Sequence, residues 1–328
     1  MKRNQTVFIT GMSGYLGGAL CRELDALPWC KRFFGMDIKR PLAKYHKGEF
    51  RLMDITDSRL VQWVKEVNPD ILIHLAFVLA PIHDGQKMAR VNVGGMRNVL
   101  MAIAEAQVPQ TLIASSATAY GAYADNPVPL TENHPIRRHP SFAYAREKAE
   151  VESLCEEFMA QHPDVAMSVI RPCMVFGPRV DNYLFDLFTM PLAVVPKKHA
   201  ARFQFVHEDD LVGAALAILA KEGRGAFNVA PPDTVGLEEI YRQTGKKPVA
   251  LPGWMIRRML DCTWKTGIPL GKAPAALYDF LRYPWIVDAS RLTESIGYNF
   301  VYSSKETLDI TLKAKHILRV AKPVPSVL

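Results

Sequence analysis

Short, nearly all-apolar runs alternate with stretches of helical period through the first half of the chain. The runs are VFIT, RFFGMD, FRLMD, ILIHLAF, TLIASS and AMSVIRP, each suited to a strand buried on both faces. Between them, residues 14–27, 58–67, 88–107 and 142–161 repeat apolar positions every three or four places, as amphipathic helices do. Thr56 or Asp57 stands where the second of these helices needs its N-cap. Such alternation predicts βαβ units, hence an α/β fold with a doubly wound parallel sheet and right-handed crossovers.

After Pro172 the pattern loosens. Residues 173–202 are rich in proline and aromatics, Phe203 to Lys221 reads as a strand and a helix, and Ala226 to Val229 as a further strand. The expected division is a large domain from 1–172 plus 203–235, returning to the main sheet, and a smaller discontinuous C-terminal lobe from 173–202 plus 236–328. The tail Ala321 to Leu328, with Pro323 and Pro325, is expected to be loose. The longest apolar run, Ile71 to Ile82, is broken by His74 and Pro81 and is shorter than the ~20 residues of a spanning helix, so no membrane span is expected. MKRNQTVFIT reads as a first strand and not as a signal peptide.

Composition removes several classes. The 328 residues are 49% hydrophobic and 22% charged, which disfavours disorder and coiled coil. The net charge of +7 is scattered and forms no basic stripe, so no nucleic-acid partner is expected, whereas an enzyme of phosphorylated ligands accounts for it. Five cysteines without CxxC spacing indicate neither a disulfide framework nor a metal site, and the expected compartment is a reducing cytoplasm.

Strand VFIT runs straight into Gly11-Met-Ser-Gly14-Tyr-Leu-Gly17, which opens a helix. Glycines at this spacing permit a tight turn and let backbone N–H groups at a helix N-terminus approach a pyrophosphate. Asp37 follows the second strand at the distance of a ribose-binding acid, so the larger domain is expected to be of Rossmann type and to bind a dinucleotide. The acid favours NAD; Lys39 and Arg40 beside it leave NADP open. Asp54, ending the third strand, is placed to meet the adenine edge or to cap the following helix.

Tyr144 and Lys148 lie four residues apart on a predicted helix, so their side chains share a face. An ammonium beside a phenol lowers the phenol's pKa, which would suit Tyr144 to general acid–base work on a hydroxyl or carbonyl. Together with GMSGYLG, Asp37, Asp54, His74-Leu75-Ala76, Asn92, SSATAYG from Ser115, Arg171-Pro172, VFGP from Val175 and FVH from Phe205 with Asp209-Asp210, the sequence resembles the extended short-chain dehydrogenases, the NAD-dependent epimerase/dehydratase family, to about Val229.

The resemblance implies a catalytic trio of Ser116, Tyr144 and Lys148, with Thr118 the rival of Ser116. It also implies a cofactor site of Gly11, Gly14, Tyr15, Leu16, Gly17, Asp37, Asp54, Ile55, Leu75, Ala76, Phe77, Asn92, Ser115, Tyr144, Lys148 and Pro172. A plain N-cap remains the other reading of Asn92. His74 reads as structural, and His207 with Asp210 as joining a late helix to the sheet. The resemblance further implies a homodimer through 88–107 and 142–161.

Dehydratases of the family carry Asp-Glu where this chain has Ala117 and Thr118, so the expected reaction is sugar epimerisation, on a nucleotide-sugar. Phe203 stands where the family often has a diphosphate-binding arginine, and Arg202 beside it would face the other way on a strand. Tyr183, Phe185, Phe188 and Leu192 instead suit a less polar, hydroxysteroid-like secondary alcohol or ketone, the alternative reading. Arg179, Lys197, Lys198 and Arg202 keep an anionic substrate open. A non-catalytic dinucleotide sensor is the third reading.

Overall fold

Six strands and five helices come from the N-terminal half. They are β1 (Gln5–Thr10), α1 (Tyr15–Ala26), β2 (Cys30–Asp37), β3 (Gly48–Leu52), α2 (Arg59–Val67), β4 (Ile71–His74), α3 (Gly85–Ala89), α4 (Gly95–Glu105), β5 (Gln110–Ala114), α5 (Ala143–Gln161) and β6 (Ala166–Pro172), alternating except where β3 follows β2 directly and α4 follows α3. The remainder is β7 (Met174–Phe176), α6 (Tyr183–Thr189), β8 (Val194–Pro196), β9 (Arg202–Phe203), β10 (Phe205–His207), α7 (Glu208–Ala220), β11 (Gly225–Val229), β12 (Val235–Gly236), α8 (Leu237–Gln243), β13 (Val249–Leu251), α9 (Gly253–Thr266), α10 (Leu277–Arg282) and α11 (Ser304–Ala314). The computed structural model describes residues 4–189, 192–197, 201–266 and 274–316. Lys198 and the tail 321–328 lie outside the described residues.

The central sheet has seven parallel strands in the order β3-β2-β1-β4-β5-β6-β11. Strand order reverses between β1 and β4, and in open α/β sheets the crevice beyond such a reversal is where ligands bind. Side chains of β1 divide the core in two: Val7 and Ile9 pack with Leu20 and Leu24 of α1, while Phe8 packs with Trp63 of α2 and with Val99 and Ile103 of α4. Alternate residues of a strand point to opposite faces, which is why the strand runs are apolar throughout.

Two features depart from the sequence reading. Of 203–235, only β11 joins the central sheet; β10 pairs with β7 and β9 with β12, in two-stranded pieces. These strands are two or three residues long, too short to extend the main ladder. The helix expected from 88 begins at Gly85 and carries a π-helical turn at Arg90–Gly94. Asn92 sits inside that turn and is not its cap: its buried amide accepts from the Val78 N–H (2.7 Å) and donates to Glu147 (2.7 Å). Extra residues in a helix of this kind re-aim a side chain inward.

Candidate active site

The crevice at the strand-order reversal is built on close backbone approach. Gly11 follows β1 at φ +79°, and a Cβ there would lie 2.6 Å from the Ala76 backbone nitrogen, just past β4. A Cβ on Gly17 would come within 2.0 Å of the Gly11 carbonyl oxygen, so only glycine lets α1 run this tightly over the turn. Gly14 caps α1 with no side-chain hydrogen bond, leaving the N-terminal N–H groups for an anion. These are the features a dinucleotide pyrophosphate requires, and Gly11, Gly14, Tyr15, Leu16 and Gly17 line one end of a cavity there.

Asp37 accepts from the N–H groups of Ser13 (3.1 Å) and Lys39 (3.3 Å), while the Ser13 hydroxyl donates to the Lys39 carbonyl (2.6 Å). The acid thus braces the glycine turn from the end of β2. Asp54 is exposed and its carboxylate accepts from the Thr56 N–H and hydroxyl, a turn-forming role; Ile55 is buried against Gly95. Asp37, Asp54 and Ile55 are not among the residues that line this cavity.

The other end of the cavity carries the acid–base groups. Ser115 and Ser116 follow β5, Tyr144 and Lys148 rise from α5, and Pro172 closes β6; all five line the cavity. The Thr118 hydroxyl donates to the Ser116 Oγ (2.9 Å), and the Ser116 hydroxyl lies close enough to the Tyr144 phenol to oppose, in part, the upward push of burial on its pKa. Both rivals therefore belong to one chain, with Ser116 the member on the phenol. The Ser115 hydroxyl is buried without a partner among the described residues.

Burial dominates the titration of the pair. It pushes Tyr144 up to about 12 against the Ser116 hydroxyl, and pulls Lys148 down to about 7. The expected lowering of Tyr144 by its neighbour is not found. Lys148 donates instead to the Ala114 carbonyl (2.7 Å) and lies 3.5 Å from the centre of the Phe77 ring, against 5.9 Å for that of Tyr144. Position along a helix sets the shared face, but the nearest acceptor sets where a buried ammonium points.

His74 shares a 2.7 Å hydrogen bond with Thr10, and burial, then the Lys148 charge, hold it down to about 3. It is therefore neutral across the working range. Asp210 binds the Tyr298 hydroxyl and the N–H groups of Val301 and Tyr302, and His207 packs on Tyr302, so this pair ties α7 to the 298–302 loop.

The rest of the lining is largely apolar. Phe142, Met174, Tyr183, Leu187, Phe188, Phe203, Leu277, Phe280, Leu281 and Trp285 surround a cavity of about 260 Å³, with Leu79 on its flank. Lys148 is the only charged side chain lining the cavity among the described residues. Phe203 lines the cavity, and Arg202 points away to the hydroxyl and carbonyl of Thr234. Arg179 pairs with buried Glu208 (2.8 Å), and Lys197 is exposed. Phe185 is spent on Phe176, and Leu192 is exposed. Sequence reasoning missed Leu277, Phe280, Leu281 and Trp285, which carry no motif and reach the site from the far end of the chain.

Residues 7–230 match the model of the "NAD dependent epimerase/dehydratase family". An uncharacterised Mycobacterium tuberculosis protein is 24% identical over 97% of this chain and 86% of its own length. The N-acetyl-alpha-D-glucosaminyl-diphospho-ditrans,octacis-undecaprenol 4-epimerase of Escherichia coli O157:H7 is 24% identical over 56% of this chain and 53% of its own. Among solved structures, the Thermotoga maritima UDP-glucose 4-epimerase with UDP-glucose shares the fold at TM-score 0.74 and 19% identity, over 95% of this chain and 98% of that one. The Bordetella bronchiseptica enzyme WbmH in complex with NAD+ does so at TM-score 0.74 and 22% identity, over 96% and 99%. The chain belongs to the NAD-dependent epimerase/dehydratase family.

Proposed function

We propose that this enzyme interconverts a secondary alcohol and its ketone on a largely apolar substrate. The observation that carries the reading is the lining of the cavity around Tyr144, which is largely aromatic and aliphatic with Lys148 its only charged side chain among the described residues, whereas a nucleotide diphosphate calls for donors and cations. Bound NAD supplies the hydride acceptor or donor. Tyr144 holds the reacting oxygen and moves its proton, Ser116 hydrogen-bonds that oxygen, and Thr118 orients Ser116. Lys148 supplies a donor and, when protonated, a positive charge beneath the same site. The apolar lining excludes water from the reacting carbon.

A sugar 4-epimerase is the second reading. It is favoured by Ser116-Ala117-Thr118 and by the relatives with that activity. The substrate named for the Escherichia coli relative joins a sugar to a polyprenyl chain, a chemistry in which both readings meet. A panel of apolar secondary alcohols, UDP-sugars and dTDP-sugars, followed at 340 nm and by product stereochemistry, separates them. NADH accumulating with apolar alcohols supports the dehydrogenase; inverted sugar without net NADH replaces it with the epimerase.

We further propose a homodimer through α4 and α5, whose outward faces leave Met101 54% exposed beside a shallow groove containing Leu100, Leu154 and Phe158. Sedimentation at micromolar concentration tests this, a monomer excluding it.

A further inference from the structure

Helix α9 is amphipathic on both sides. Its inner face is narrow: Ile256 and Leu260, one turn apart, pack on Val194 and Tyr278. Its outer face leaves Trp254 68%, Met255 37% and Met259 37% exposed, with Cys262 one turn further on. A surface helix normally turns polar residues outward, so three large apolar side chains along one side of α9 mark it as a candidate contact surface. The polar members of that face are mostly basic. Arg258 has no ion-pair partner among the described residues, Arg257 is tied to Asp279, Lys265 pairs with Asp261 (2.7 Å), and all three line one shallow groove.

The position of α9 adds to this. Trp264 stacks on His83 (4.1 Å between ring centres), in the loop that carries cavity residue Leu79. On its other side α9 packs against α10, whose Leu277, Phe280 and Leu281 line the same cavity. The helix therefore spans two walls of the cavity while presenting its apolar and basic outer face to solvent.

We propose that α9 docks the enzyme onto an anionic bilayer surface. Trp254, Met255 and Met259 enter the boundary between headgroups and acyl chains, and Arg258 and Lys265 meet the phosphate-bearing headgroups. No helix among the described residues is long and apolar enough to cross a membrane, so the contact is with one leaflet's surface. Exposed apolar side chains interleaved with cations match the surface of an anionic bilayer, charged at its headgroups and apolar just beneath. The inference rests on the helix and stands whether the substrate is an apolar alcohol or a sugar.

The test is co-sedimentation of the full chain with phosphatidylcholine vesicles containing about a third phosphatidylglycerol, beside pure phosphatidylcholine. The expected result is binding to the anionic vesicles that weakens several-fold in high salt. Met255→Ser/Met259→Ser should lower the partition constant at least about tenfold, and Arg258→Glu/Lys265→Glu about tenfold or more. Brominated lipid should quench wild-type tryptophan fluorescence, and Trp254→Phe should remove most of that quenching, a readout that needs no disruptive substitution. Absence of binding to anionic vesicles overturns the proposal, as does binding untouched by both double variants and by Trp254→Phe. Self-association that Met255→Ser/Met259→Ser abolishes, with no vesicle binding, would replace the bilayer by a second copy of this chain.

Discussion

Lys148→Met should make the cofactor-free protein more stable, relative to wild type, as the pH falls. The ammonium of Lys148 is buried, and burial lowers its pKa from 10.5 to about 7. Between these values the unfolded chain binds the proton that the folded chain releases, so wild-type stability rises with pH across the window from 7 to 10.5. At pH 6 both states are charged and the full penalty, on the order of 4–5 kcal/mol, is present; at pH 10 about 1 kcal/mol remains. Methionine abolishes that dependence. It also removes the hydrogen bond to the Ala114 carbonyl and the contact with Phe77, at a cost to first order alike at both pH values. The stability difference between variant and wild type should therefore move by about 4 kcal/mol from pH 10 to pH 6, in favour of the variant at pH 6. Urea unfolding of the two cofactor-free proteins at both pH values measures it, because other titrating groups cancel in the comparison. Parallel curves, or a variant that gains relative stability at pH 10, would refute the assignment of a desolvated ammonium to this position. Turnover should be lost at either pH, so that the same burial which destabilises the fold serves the chemistry.

Tyr144→Phe should lower kcat by at least about a hundredfold while leaving NAD affinity, measured by titration calorimetry, within a few-fold of wild type. Gly17→Ala places a methyl group against the Gly11 carbonyl and should abolish measurable NAD binding, or cost roughly 1–3 kcal/mol of stability if the turn opens to admit it. Arg171→Met should destabilise by about 3–5 kcal/mol in urea unfolding, because it strands the buried Glu152 carboxylate that Arg171 now holds with two 2.9 Å hydrogen bonds. Thr118→Val should reduce kcat by less than Ser116→Ala does, since Thr118 acts through Ser116; equal losses would place Thr118 on the substrate.

The parts of the site legible in the sequence are those set by local geometry. Glycine spacing specified the turn between β1 and α1, because Gly11 and Gly17 answer backbone contacts within one βα unit and with the neighbouring strand. A four-residue spacing brought Tyr144 and Lys148 to one face of α5. What the spacing did not contain was direction: the Ala114 carbonyl, a strand end remote in sequence, draws the ammonium away from the phenol. The π-helical turn that carries Asn92 inward was also hidden, since its cause is a pair of hydrogen bonds to Val78 and one to Glu147. The apolar half of the cavity was visible only at Tyr183, Phe188 and Phe203. Leu277, Phe280 and Trp285 look like any core residues until packing brings α10 and the loop after it against α6 and β9.

The most direct test of the account follows hydrogen itself. The enzyme is incubated with NADH carrying deuterium at both C4 positions of the nicotinamide and a series of apolar cyclic ketones, and the products are examined by mass spectrometry. A deuterium is expected on the carbinol carbon of the favoured product, and none with Tyr144→Phe. Label retained by the cofactor with every ketone, alongside inversion of an unlabelled UDP-sugar by the same preparation, would contradict it.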